Sequence, residues 1–357
     1  MTPTVGTGGG LDRLVVLRIP RLGMSTRVHL RAVVVTVVLA GLAFATLCWS
    51  LAVGDFPVPL RDVLATIAGR GDAESEFIVR SLRMPRALTG LLVGAALGLA
   101  GSVFQRIARN PLATPDVIGI NAGAATAAVF VLLILDGSGL QVTGGALVGG
   151  LGTGLAVYLL AYRRGVGGYR LVLIGVGITA ALQSVTSYLL TRAHVLEAQR
   201  AVAWITGSLN GRSWDHVRPV AVALAVLVPI TVLLTRQLRA LELGDDLAQG
   251  LGVRVELARG GLLLCAAALA SVATAAAGPV GFVGLVAPQV GRRLVGGRSL
   301  GLLPAAAFGA LLLVTSDVVG RRIAAPTELP VGVVTAILGA PYLLFLLARA
   351  NRIGSGG

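Results

Sequence analysis

The side chains of this chain that could do chemistry are few and one-sided. Thirty basic residues stand against sixteen acidic ones, a formal net charge of +14, and every basic residue is arginine. Without lysine the chain cannot form the nucleotide loop Gly-x-x-x-x-Gly-Lys-Ser/Thr, whose lysine reaches the phosphates. Gly150-Leu151-Gly152-Thr153-Gly154 is therefore a glycine cluster in an apolar stretch. Cys48 and Cys265 lie far apart in apolar segments and read as packed thiols, with no support for a disulfide framework or a metal site. His194 and His216 stand in polar loop sequence as solvated or interfacial residues. What remains suits recognition more than catalysis: Arg83 and Arg86, Arg321 near Asp317, the acidic pair Asp245-Asp246, and the amides Gln105, Asn110 and Gln289. The arginines are scattered between apolar segments, which argues against a nucleic-acid surface.

The elements that must position these residues are membrane helices. Hydrophobic residues make up 55% of the 357, charged residues only 13%, and mean hydropathy is +0.86, values outside the range of soluble domains. Ten apolar segments are expected: 32–51, 88–104, 117–135, 144–162, 171–190, 219–235, 260–277, 281–294, 302–316 and 331–348. The expected fold is thus an all-α polytopic membrane protein, with residues 1–31 a partly disordered tail lacking the apolar core of a cleavable signal, 32–349 a single transmembrane domain and 350–357 a second tail. With ten spans both termini share one side. Placing them in the cytoplasm leaves nineteen arginines inside and eleven outside, as positive charge distributes in membrane proteins. No Asp, Glu, Lys or His lies near the middle of a segment, where ion-coupled transporters carry ionisable groups.

The chain is organised around residues 83–123. Gly90, Gly94 and Gly98 recur every fourth residue, with Gly101 one turn on, so one face of this helix lacks side chains and admits another backbone. That predicts a central helix. Asn110-Pro111 and Thr114-Pro115 then interrupt it, and irregular backbone at that depth needs protein around it. A faint echo relates residues 90–97 to 261–269, in segments expected to cross in opposite directions, as in inverted repeats. Residues 241–259 form the most informative inner segment. Gly244 precedes an acidic first turn at Asp245 and Asp246, Leu247 and Leu251 share one face, and Gly250 and Gly252 limit the helix to about two turns. A solvated surface helix and a partner-binding helix both fit that pattern.

Several motifs together resemble one family: Arg83-x-x-Arg86, the glycine-rich helix, Gln105, Asn110-Pro111-Leu112-Ala113, Pro115 to Gly119, Gly278 to Arg293, Asp317, Glu328 to Gly332 and Gly339-Ala340-Pro341. The chain is similar, from about residue 30 to 349, to the FecCD/BtuC-like permease subunits of ABC importers for iron-siderophores, haem and cobalamin. The resemblance implies a type II importer permease in the bacterial cytoplasmic membrane, paired with an identical or sibling permease, above two copies of a separate ATP-binding subunit. It implies an extracytoplasmic substrate-binding protein as delivery partner. This chain itself would bind no cofactor, ATP being used by its partner. Arg83, Arg86 and Arg321 are then docking residues, against the alternative that they anchor helix ends to lipid phosphates. Gly244, Asp245, Asp246, Leu247, Ala248, Leu251 and Gly252 are the coupling segment that meets the ATPase. Gln105, Asn110, Pro111, Pro115, Gly119, Pro288 and Gln289 are helix-break positions beside the pathway. Gln289 departs from the histidine common at that position and keeps hydrogen bonding without a pH-dependent charge. The gate implied at Gly165 to Arg170 departs too, with Gly167-Gly168-Tyr169 where small hydroxyl residues are usual. The motif at 115–119 points to a ferric siderophore as cargo; haem or cobalamin is the alternative within the class, and an ion-coupled secondary transporter the alternative outside it, with a membrane receptor or scaffold third.

Overall fold

The computed structural model describes residues 4–5, 14–19, 24–54, 56, 58–162, 168–296 and 299–354. At the N-terminus, strands β1 (Thr4–Val5), β2 (Leu14–Ile19) and β3 (Met24–His29) pair antiparallel in that order. This small ribbon lies where the sequence reading expected a partly disordered tail; the branched run Val15-Val16-Leu17 suits a strand.

The body is helical. Helix α1 (Leu30–Ala52) leads to two short helices, α2 (Leu60–Ile67) and α3 (Ala73–Glu76). From α3 a π-helical turn, Phe77–Arg83, runs without a break into α4 (Met84–Ile107), a helical run of 35 residues. Arg83 and Arg86, expected just ahead of the second helix, therefore lie within the same continuous helical run as that span. Pro85 sits in the first turn of α4, where no donor is needed, and the wider π turn carries the helix upstream of it, with Met84 N–H donating to the Val79 carbonyl. There follow α5 (Ile120–Leu133), α6 (Leu140–Ala161), α7 (Gly168–Arg192), the outer α8 (Val195–Ile205), α9 (Trp214–Leu233), α10 (Thr235–Leu243), α11 (Asp245–Gly250), α12 (Val255–Ala277), α13 (Val283–Val295), α14 (Leu302–Ile323) and α15 (Val331–Gly354).

Each of the ten expected apolar segments coincides for most of its length with one helix. Among the described residues, seven helices are long and apolar enough to cross a membrane by length and composition; α5 and the apolar part of α15 are shorter, and α13 has 13 residues. Burial sorts them as the glycine spacing predicts. The apolar windows of α4, α12 and α14 are 78%, 72% and 56% buried, against 22% or less in the other four. Gly94 lies against the backbone of Gly309 and Ala310, Gly98 against Ala305, and Gly101 against Gly284, so the glycine face of α4 seats α14 and α13 at backbone contact. The two echo segments fall in α4 and α12, each of which ends in a break: residues 108–119 after α4 and 278–282 after α12.

Candidate functional site

At one end of the bundle a cleft of about 500 Å³ brings the three expected docking arginines together, along with Arg212, Arg322 and Glu328. Each of the three is already engaged by the chain. Arg86 donates from Nη2 to Asp317 Oδ1 at 2.9 Å and from Nη1 to Glu328 Oε2 at 2.9 Å. Arg321 Nε lies 3.2 Å from Asp317 Oδ2, and its Nη2 donates to Ser50 Oγ at 2.5 Å. Arg83 donates to the Leu51 carbonyl at 2.7 Å and the Phe56 carbonyl at 2.5 Å, satisfying an orphan acceptor at the end of α1. Asp317, 4% exposed, thus sits between two guanidinium groups and joins α4 to α14. Arg212 was not singled out from sequence, since an isolated loop arginine carries no signal. Its Nε donates to the Ser208 carbonyl at 3.1 Å and its Nη1 lies 3.2 Å from His216 Nε2; burial in the cleft wall lowers its pKa from the ordinary guanidinium value.

Deeper in the bundle the α4–α5 break is folded around hydrogen bonds that its own sequence supplies. Arg109 ends the helix with φ +50, a left-handed conformation that costs a non-glycine residue on the order of 1 kcal/mol. Asn110 Oδ1 accepts the Leu112 N–H at 2.9 Å, the Pro115 carbonyl accepts the Ile120 N–H at 3.1 Å, and Gly119, at φ +93, starts α5. Gln105 and Gln289, both buried, form an amide pair: Gln289 Nε2 donates to Gln105 Oε1 at 2.9 Å and to the Pro111 carbonyl at 3.1 Å, while Gln105 Nε2 donates to the Leu285 carbonyl at 3.1 Å. Pro288, buried in α13, precedes this pair. Five of the seven expected break residues, Gln105, Asn110, Pro111, Pro288 and Gln289, thus gather where α4, the break and α13 meet, and Pro115 and Gly119 shape the far end of the break.

The break walls a cavity of about 620 Å³, lined in part by Asn110, Asp116, Asn121 and Phe282. Asp116, which the sequence reading left just outside a span, accepts a hydrogen bond from the Asn121 side chain, and its carboxylate lies beside Gly281 of the second break, on the same cavity wall. Removal of one partner from the buried amide pair gives a clear prediction. Gln289→Leu orphans Gln105 Oε1 and the Pro111 carbonyl, and at 1–3 kcal/mol per buried unsatisfied group it should destabilise the chain by about 2–6 kcal/mol. Thermal unfolding in detergent checks this; an unshifted midpoint would show the pair to contribute nothing.

Residues 241–259 take the shape their glycines and acids dictate. Gly244 has φ +119 and ψ 156, open only to glycine, and turns the chain from α10 into α11. Asp245 is the first residue of α11 and is clamped by Arg259, 7% exposed, whose Nη2 donates to both carboxylate oxygens at 2.7 and 2.9 Å. Ala248 is buried beneath the helix and Gly252, at φ +78, ends the turn. Leu247 and Leu251 share a face, as expected, but that face points outward at 61% and 67% exposure, with Leu243 and Leu257 exposed as well. Asp246 is exposed beside them. Of the gate implied at Gly165 to Arg170, residues 165–167 lie outside the described residues, and Gly168 packs against the Ala108 backbone at the start of the break.

Comparison with known proteins places this geometry. The model of the FecCD transport family matches residues 31–349. The chain is 41% identical over 335 residues to the siderophore transport system permease protein YfhA of Bacillus subtilis, covering 92% of this chain and 98% of that one. It is 42% identical over 305 residues to the ferric enterobactin permease protein FepG of Escherichia coli (85% and 92% covered), and 41% identical over 318 residues to the Fe(3+) dicitrate permease protein FecD of the same organism (88% and 97%). A solved inward-facing conformation of a metal-chelate type ABC transporter superposes with a TM-score of 0.79 at 28% identity, over 88% of this chain and 99% of that one.

Proposed function

The chain belongs to the FecCD transport family, and from that premise we propose that it is the membrane permease of a binding-protein-dependent ABC importer that carries a ferric siderophore across the bacterial cytoplasmic membrane. The structural observation that supports a motor partner is the outward apolar face of α11. Leu247 and Leu251 project from a helix held by Asp245–Arg259 and Ala248, so the leucines are presented on a rigid support. A charged inner end has no reason to expose leucines in register unless another protein covers them. The occupant is an ATP-binding subunit, one per permease chain, with both termini of this chain in the cytoplasm. A second permease, identical or sibling, completes the pathway.

On the opposite end, the arginine cleft receives a delivering binding protein. The internal pairing of Arg86 and Arg321 with Asp317 makes their first role the shaping of that surface, and their charge steers the partner and sets its register. Arg83→Glu with Arg86→Glu tests the cleft: transport falling while ATPase association persists supports docking, and loss of assembly assigns the pair a structural role. The cargo reading follows the relatives, which are named for siderophore, ferric enterobactin and Fe(3+) dicitrate transport. The chain performs no bond-making step; its work is to change which side its cavity opens to.

Two experiments test this. Radioiron uptake by iron-starved cells, with and without the gene, is expected to be lost for one ferric siderophore class and restored by the gene. Unchanged iron uptake with altered haem or cobalamin uptake would move the cargo to those. For the motor contact, replacing Leu247 and Leu251 by Asp should cost about 3 kcal/mol of interface energy, on the order of a hundredfold in ATPase association, and abolish uptake. Co-purification of the ATPase with this variant at the wild-type level would place the contact elsewhere.

A further inference from the structure

We propose that Arg106 and Arg109 are positioning residues that link the α10–α11 segment to the α4–α5 break, so that the wall of the inner cavity moves with the segment that meets the motor. This rests on the reading of α11 as the motor contact.

The geometry is a set of fastenings on one short stretch of chain. Arg106, in the last turn of α4 and 8% exposed, pairs through Nη1 with Glu242 and donates through Nη2 to the Leu300 carbonyl. Arg109 reaches the same stretch from within the break, donating from Nη2 to the Leu241 carbonyl at 2.7 Å, with Asp245 Oδ1 at 3.4 Å. Leu241 lies in the last turn of α10, where carbonyls lack helical donors and a cation is favoured. On its other side the stretch is held by Arg259 of α12 through Asp245. Residues 241–245 are thus gripped from α12 and from the end of α4 at once.

The left-handed backbone of Arg109 gives this grip its direction. Such a conformation in a residue with a long side chain persists where surroundings over-determine it, and here it lets one residue end α4 while its guanidinium reaches the end of α10. The break in turn is fastened to α13 through the Gln289 bond to the Pro111 carbonyl, and Asp116 of the same break lies beside Gly281 of the second. Displacement of α11 therefore has a continuous bonded route, through charged pairs and a buried amide pair, to the first break and to α13, both of which line the cavity. Without Arg106 and Arg109, α11 would stay attached to α12 through Asp245, and the α4 break would lose its direct bonds to the segment.

The test is the ratio of chelate imported to ATP hydrolysed. Proteoliposomes holding the permease and ATPase subunits are supplied with the binding protein and radioiron as ferric enterobactin, ferric dicitrate or a ferric hydroxamate, whichever the wild type imports best. Arg106→Glu and Glu242→Arg are each expected to lower the ratio by about twofold to thirtyfold, the span of 0.5–2 kcal/mol of coupling, with the ATPase still co-purifying. The Arg106→Glu/Glu242→Arg exchange should recover most of the loss, because it restores the pair with opposite polarity. Arg109→Gly keeps the left-handed turn and removes only the reaching side chain, so it keeps the proposal testable if Arg106→Glu does not assemble; it too should lower the ratio. A wild-type ratio in Arg109→Gly, or an exchange that recovers nothing, would overturn the linkage. A wild-type permease with which the ATPase subunit does not co-purify would overturn the motor reading, and this inference with it.

Discussion

Asp317→Ala is expected to give the largest loss of stability of any single side-chain truncation in the outer cleft. Its carboxylate, 4% exposed, takes Arg86 on both oxygens and Arg321 beside Oδ2, and both guanidinium groups are themselves largely buried. Taking away the shared anion leaves Arg86 with Glu328 and Arg321 with Ser50. Breaking a buried pair from one side costs about 3–5 kcal/mol, since the surviving charge stays desolvated and uncompensated. The expected observation is a fall in the thermal midpoint of detergent-purified protein and in the yield of monodisperse material. Arg86→Met, Asp317→Leu and Arg321→Met introduced together should recover much of that stability, because a packed apolar cluster needs no counter-charge. The same triple variant separates the two roles assigned to these arginines: it should remain folded and yet fail to respond to the binding protein. A midpoint unmoved by Asp317→Ala would show that the cleft is solvated well enough for the pair to contribute little.

The second large effect is expected at the crossing of α4 and α13. A Cβ on Gly101 would overlap the carbonyl oxygen of Gly284, a backbone atom that cannot rotate away. Gly101→Val must push the two helices apart, and the Gln105–Gln289 pair lies one turn further along the same contact. Overpacking of this kind costs about 1–3 kcal/mol, and more where the neighbour is backbone; here the amide pair is disturbed with it. The expected result is loss of folded protein or, at permissive temperature, loss of uptake with the ATPase still attached. Gly152→Val is the control, since nothing lies within 4 Å of a Cβ at that position, and it should behave as wild type. Equal behaviour of the two variants would mean that the central crossing is looser than the glycine contacts imply.

Which parts of this were legible in the sequence follows from the range of the forces involved. Helix existence is local: long apolar runs in a chain of mean hydropathy +0.86 have to be helical in lipid, where every backbone group must be satisfied within its own segment. The central place of α4 was legible because glycines at 90, 94, 98 and 101 leave a bare face that other elements can approach closely; the α14 backbone does so at Gly94 and Gly98, the α13 backbone at Gly101 and the Leu209 side chain at Gly90. The α4–α5 break was legible because prolines remove donors, and α11 because Gly244 and Gly252 occupy conformations that other residues resist.

Pairing across the fold is another matter. From sequence, Arg86 and Arg321 are flanking cations and Asp317 a nearby acid; that the acid lies between the two, with Arg86 also reaching Glu328, depends on where α4 and α14 cross. The same holds for Arg106 with Glu242 and for Gln105 with Gln289 across 184 positions. Leu247 and Leu251 share a face by periodicity alone, but a helical period does not say whether that face turns inward or out; Ala248 and the Asp245–Arg259 clamp decided it. The sequence by itself therefore determined what is set within a few residues along the chain: membrane helices, their breaks, the bare glycine face and the short α11. The tertiary structure decided the charge and amide partners and the outward face of the leucines, because a side chain's partner is set by helix crossings that bring distant residues within about 3 Å, the reach of a hydrogen bond, and no local pattern encodes that distance.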